Sequence, residues 1–212
     1  MRTLFERLKD NSLTIVLFVL FIACLYAQSV SGWTLQNQKL LEHGREAIGC
    51  WEFLHSSSFI EDLASNWQAA ILQLATLIAL GKFLYQRGAP HSLIPGRAKR
   101  GKFRKERQSG NWLYRNSLSL AFLAMFALCF AVHIVFGADA YNEERSLSGE
   151  PPISTASFML SAKFWSSTTQ TWQAEYLAIG LYVLLSVFLR QQGSPESKPV
   201  ESHDDETGEA NK

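Results

Sequence analysis

Four stretches of this chain are almost free of charge, and each is long enough to cross a bilayer. Residues 11–38, 63–81 and 116–138 carry no Asp, Glu, Lys or Arg, and residues 164–189 carry only Glu175. A helix needs about 20 apolar residues, each rising about 1.5 Å, to cross about 30 Å of hydrocarbon. Inside lipid every backbone N–H and C=O must be paired within its own segment or within a closed barrel, so runs of this length dictate helices. The mean hydropathy of −0.01 and the 18% of charged residues look soluble only because the charge is crowded between the runs.

The second constraint is internal. Residues 67–92 return, without insertion, as residues 172–197, an offset of 172 − 67 = 105. The register extends upstream: Asn11-Ser12-Leu13 falls on Asn116-Ser117-Leu118, Gly32 on Gly137, Asn37 on Asn142, Gly44 on Gly149 and Phe59 on Phe164. Roughly 25 of about 85 aligned positions are identical, the mark of a duplicated unit. The expected fold is therefore an all-α membrane protein. Its four transmembrane helices form two parallel two-helix repeats, related by a pseudo-two-fold axis along the membrane normal. The first repeat spans 1–92, with helices at about 12–31 and 66–85, and the second spans 116–198, with helices at about 117–136 and 171–190. Equivalent small residues, such as Ala75 and Gly180, should mark the seam between the halves.

Charge sets the orientation. Residues 87–115, including the linker 93–115, hold nine Lys or Arg against the single acid Glu106. Between two spans such a run reads as a cytoplasmic anchor rather than a nucleic-acid site. Both termini then share its face, which points to a bacterial inner membrane with N- and C-termini cytoplasmic. The tail 199–212 is acidic and aromatic-free, a composition expected to be disordered. A secretory signal peptide at the N-terminus is argued against by the repeat, because the equivalent apolar run is internal. Asn11-Ser12 and Asn116-Ser117 are placed to cap their helices.

The segments after the first and third runs are polar and net acidic. Gly32 and Gly44 and their equivalents should supply turns there, and residues 51–63 could form a short amphipathic helix on the membrane surface or a cap. Trp67 and Trp172 open the second and fourth runs. Indoles favour the headgroup boundary, N–H toward water, so both are expected as interface anchors.

No catalytic residues emerge. There is no phosphate loop, nucleophile elbow or H-E-x-x-H, and Cys24, Cys50 and Cys129 have neither disulfide nor metal spacing. No metal and no cofactor is expected. His133 and His55 could in principle hold haem, but their repeat equivalents, Gln28 and Leu160, could not do the same work. Candidate polar or ligand contacts are Gln68 and Gln173, which could bond between the halves near the outer face, together with Glu175 and His133. Glu175 has Ala70 as its equivalent and reads most simply as a wet boundary carboxylate or as one paired with a loop residue.

Three strings carry a resemblance: G-x-x-x-x-N-x-x-x-x-x-x-G in the outer loops, W-Q-x-E-Y-L at 172–177 and Q-x-G-S-P-E-S-K at 191–198. They resemble a family of bacterial multi-pass inner-membrane proteins known only as a domain of unknown function. The first half departs from the pattern at Ala70, Ala89 and His91. The resemblance implies an inner-membrane location and no reaction. The expected function is non-enzymatic, interaction or envelope structure. The partners are the lipid bilayer and a protein or self-association, with no nucleic acid. The alternative is a small transporter or channel subunit with a site near the outer face between the repeats.

Overall fold

The computed structural model describes residues 4–92 and 111–207; most of the basic linker, 93–110, and residues 208–212 lie outside the described residues. Every regular element among those described is helical: α1 (Leu4–Asp10), α2 (Ser12–Glu42), α3 (Cys50–Leu54), α4 (Ser57–Leu80), α5 (Trp112–Arg115), α6 (Ser117–Leu147), α7 (Thr155–Met159) and α8 (Ala162–Phe188). Four of them, α2, α4, α6 and α8, are long and apolar enough to cross a membrane.

The long helices depart from the expected spans: α2 and α6 run on past them, while α4 and α8 start nine residues earlier and end sooner. Helices α2 and α6 have 31 residues each, about 47 Å at 1.5 Å per residue, so both project past a 30 Å hydrocarbon layer. Gly32 and Gly137 do not break them. Each lies inside its helix as a flat spot under a phenylalanine: a Cβ on Gly32 would sit 2.9 Å from Phe53 Cζ, and one on Gly137 3.0 Å from Phe158 Cε1. The turns fall later, at Gly44 (φ 69°) and Gly149 (φ 73°), in the left-handed region that glycine enters without strain. Residues 51–63 form no separate surface helix. They are divided between α3 and the first turns of α4, which begins well before residue 66.

Asparagine and serine organise the loop end of the bundle. Asn37 Nδ2 donates to Ile48 O (3.1 Å) while its Oδ1 accepts from Ile48 N (2.8 Å). Asn142 does the same to Ile153, at 3.0 and 2.8 Å. Each amide thus satisfies both backbone groups of one residue and pins the returning loop to its helix. Ser56 and Ser161 then cap α4 and α8 through Phe59 N and Phe164 N. Asn11 and Asn116 make no side-chain cap. Their backbones (φ −115° and −118°) instead join the short helices α1 and α5 to α2 and α6.

Helix α4 is the hub. It packs most extensively on α6, which runs antiparallel to it, and less extensively on α8. Helix α2 has no buried residue, touches α4 through Phe21 and Trp67 (ring centroids 5.9 Å), and forms no seam with α8 comparable to that between α4 and α6. A small aromatic core of Phe158, Phe164 and Ala138, flanked by Phe130, Ile134, Tyr141 and Ile153, joins α6, α7 and α8.

Residues 199–207, the described part of the acidic tail, form turns held against the ends of α4 and α8. Lys198 is buried (5% exposed), and its Nζ donates to the carbonyls of His203, Asp204 and Glu206 at 3.1, 3.0 and 3.3 Å. Arg190 reaches Asp204 Oδ1 and Ser202 O, both at 2.8 Å, and Gly88 N donates to the buried Thr207 Oγ1 at 2.7 Å. One ammonium with three carbonyl acceptors supplies a centre that composition alone does not reveal. The same segment closes on the turn after α4: Gly88 has φ 84° and lies against Asp204 O, so no side chain fits there.

Candidate functional site: a buried polar tie between α4 and α6

Helix periodicity brings Glu61, Ala64, Gln68 and Ala75 of α4 to one face, three, four and seven residues apart. Opposite that face α6 offers His133 and Gly137. Gln68 and His133 are both fully buried, at 0% exposed, and Gln68 Nε2 stands 2.7 Å from His133 Nδ1. With the amide donating, Nδ1 accepts, and the ring carries its proton on Nε2. That nitrogen faces Glu61 Oε1 at 3.2 Å, close to it but short of an aligned hydrogen bond. Gly137 makes the approach possible, since a Cβ there would meet Glu61 Cγ at 3.2 Å as well as Phe158.

Aromatic rings seal the tie. The His133 ring lies 5.1 Å from Phe164, which is itself 0% exposed and packs on Phe130 and Phe158. One turn beyond Phe164, Thr168 is also fully buried, and its Oγ1 has no partner among the described residues. Gln68 Oε1 and Trp172 Nε1 are likewise buried without partners. Buried polar groups are rarely left so, because each unmade hydrogen bond costs about 1–3 kcal/mol.

The structure treats the expected contacts unequally. Gln68 does bond between the halves, but to His133 and not to Gln173, which is exposed. Glu175 presents its backbone: Gln73 Nε2 donates to Glu175 O at 3.0 Å, beside a Thr76–Tyr176 hydroxyl pair at 3.0 Å. Trp67 is 40% exposed and meets Phe21. Trp172 packs on Phe126 and Phe130 with its N–H buried. Gly180 is exposed with open space around its Cβ, while its equivalent Ala75 is buried; the expectation that both mark the seam fails at Gly180. Glu61 belongs by composition to the acidic segment before the second apolar run, and only its spacing from Gln68, two helical turns, signals that the two share a face.

Beyond the tie, an open groove of about 560 Å³ lies at the loop end, lined in part by Gln36, Leu40, Trp51, Glu52, His55 and Glu143. Among the described residues no cluster of His, Cys, Asp and Glu could hold a metal ion.

An all-helical chain with four such helices and a buried polar tie between two of them falls in the class of multi-pass helical membrane proteins. More narrowly, residues 4–209 match the family described as a domain of unknown function, DUF6766, and the chain belongs to that family. Comparisons with curated proteins and with solved structures gave no match.

Proposed function

We propose that this protein is a non-enzymatic four-span protein of the bacterial inner membrane, with both termini cytoplasmic, that acts through interaction or envelope structure. We read it as two copies of one hairpin unit. Supporting that reading, α2 and α6 begin at 12 and 117 and end at 42 and 147, while the Asn–Ile ties and the serine caps recur 105 residues apart. The orientation rests on basic residues gathered at the terminus end, with Arg87, Arg115 and Arg190 among those described.

The observation that carries the function is the Gln68–His133–Glu61 tie. Its polar atoms face one another across two antiparallel helices and are closed off by Phe164, which is how a helix-to-helix fastener is built. The opposing reading is a small transporter or channel subunit, favoured by the buried His133 beside the half-buried Glu61 carboxylate, since ionisable groups at membrane depth commonly carry protons or ions. Purified protein in liposomes loaded with a pH-sensitive dye separates the two. The fastener predicts proton and cation leak no greater than in empty liposomes. Flux that disappears on His133→Gln or Glu61→Gln would establish the transport reading instead.

A further inference from the structure

We propose that α8 carries an unfilled copy of the α4 seam and that its occupant is α2 of a second copy of this chain. The inference rests on the two-unit reading above. The face that α4 turns to α6 consists of Glu61, Ala64, Gln68 and Ala75, of which the last three are buried. Adding 105 to each gives Ser166, Thr169, Gln173 and Gly180 on α8, and all four are exposed. The same shift in reverse takes His133 and Gly137 of α6 to Gln28 and Gly32 of α2, a helix with no buried residue. Two matching halves of a seam are therefore present in every chain, and only the α4–α6 seam is made.

The chain cannot close the second seam on itself, because α4 stands between its two halves. Phe21 of α2 meets α4 at Trp67, whereas Tyr176 of α8 meets it at Thr76. Thr76 lies nine residues beyond Trp67, about two and a half turns at 3.6 residues per turn, and so on the opposite flank of the helix. A second copy has no such obstacle.

The chemistry suits a protein neighbour better than lipid. Lipid tails give helices no hydrophobic reason to associate, so packing faces in membranes are marked by small and polar side chains. The α8 stripe has Ser166, Thr169, Gln173 and Gly180 in register. Gln173 would meet Gln28 where Gln68 meets His133, an amide pair in which each side chain can both donate and accept. Formed reciprocally, the two α2–α8 contacts close a two-fold dimer; formed head to tail, they close a ring.

The test uses full-length protein in native membranes, with Cys24, Cys50 and Cys129 replaced by alanine. Gln28→Cys and Gln173→Cys are placed on separately tagged chains, expressed together and oxidised. A disulfide joining the two tags is expected, and neither variant alone should give it. A Gln68→Cys, His133→Cys chain is the control for the existing seam, expected to close within one chain. Failure of the control alone would count against the α4–α6 seam and the two-unit reading. Control closure without a joined pair would overturn the second-copy proposal and leave α8 facing lipid. A chain carrying both Gln28→Cys and Gln173→Cys that closes only internally would overturn it as well. Independently, Gly180→Trp should reduce the associated fraction of otherwise native protein at least tenfold in light scattering, with thermal unfolding unchanged. An undiminished associated fraction would refute the proposal.

Discussion

Gln68 and His133 lie 65 residues apart, on helices of different halves, and meet 2.7 Å apart with no exposed surface on either side chain. The contact joins an amide to an imidazole, and it fixes the register of α4 against α6. One turn of slippage would leave both groups buried and unpaired.

The first prediction tests that contact. His133→Leu leaves Gln68 without a partner and should lower stability by about 1–3 kcal/mol. His133→Gln, the residue at the equivalent position 28, retains an acceptor and should recover much of that loss. Thermal unfolding of detergent-purified protein reads both. Equal loss for the two variants would mean that imidazole shape, packed on Phe164, matters more than the bond.

Gly137 should tolerate enlargement far less than Gly180. A Cβ at Gly137 already meets Phe158 at 3.0 Å and Glu61 at 3.2 Å, whereas nothing lies within 4 Å at Gly180. Gly137→Leu should destabilise by more than about 2 kcal/mol through overpacking. Gly180→Leu should leave the unfolding temperature of the single chain unchanged. Comparing the yields of folded protein for the pair on a size-exclusion column checks the contrast.

Asn142→Ala removes both bonds to Ile153 and leaves that residue's backbone groups to find water. A loss of about 1–2 kcal/mol is expected, at roughly 1 kcal/mol per bond. Limited proteolysis should show faster cleavage within residues 148–154, with helix content by circular dichroism unchanged. Asn37→Ala should expose residues 43–49 in the same way.

Lys198→Met should free the segment after it, since one ammonium holds the carbonyls of His203, Asp204 and Glu206. The surrounding ion pairs, Arg87–Asp205 and Arg190–Asp204, use exposed carboxylates and contribute little alone, about 0–1 kcal/mol each. Faster hydrogen exchange is expected over 199–207, and also at Gly88, whose N–H bonds to Thr207.

The orientation is tested with a reporter active only outside the cytoplasm. Fusions after Gly44 and Gly149 should be active, and fusions after Gly101 and Gly208 silent. The reverse pattern would invert the assignment drawn from the basic linker.

The sequence by itself determined the number and apolar character of the helices, because lipid leaves a long uncharged run no other way to pair its backbone. Paired residues such as Asn37 and Asn142, or Gly44 and Gly149, were legible for a similar reason: amides and left-handed glycines answer local backbone demands that recur wherever the local sequence does. Helix neighbours were not legible. A soluble helix announces its buried face by polarity, but α2, α6 and α8 are apolar all round, and a side chain against lipid looks like one against protein. Hence Ala75 and Gly180, equal in the alignment, part company in space, and Glu61, an ordinary loop acid by composition, ends beside a buried histidine. Only the tertiary structure decided those contacts, because they depend on how far each helix extends past the membrane and how it is turned. Both are set by the sum of many weak side-chain contacts along its length rather than by any residue's own chemistry.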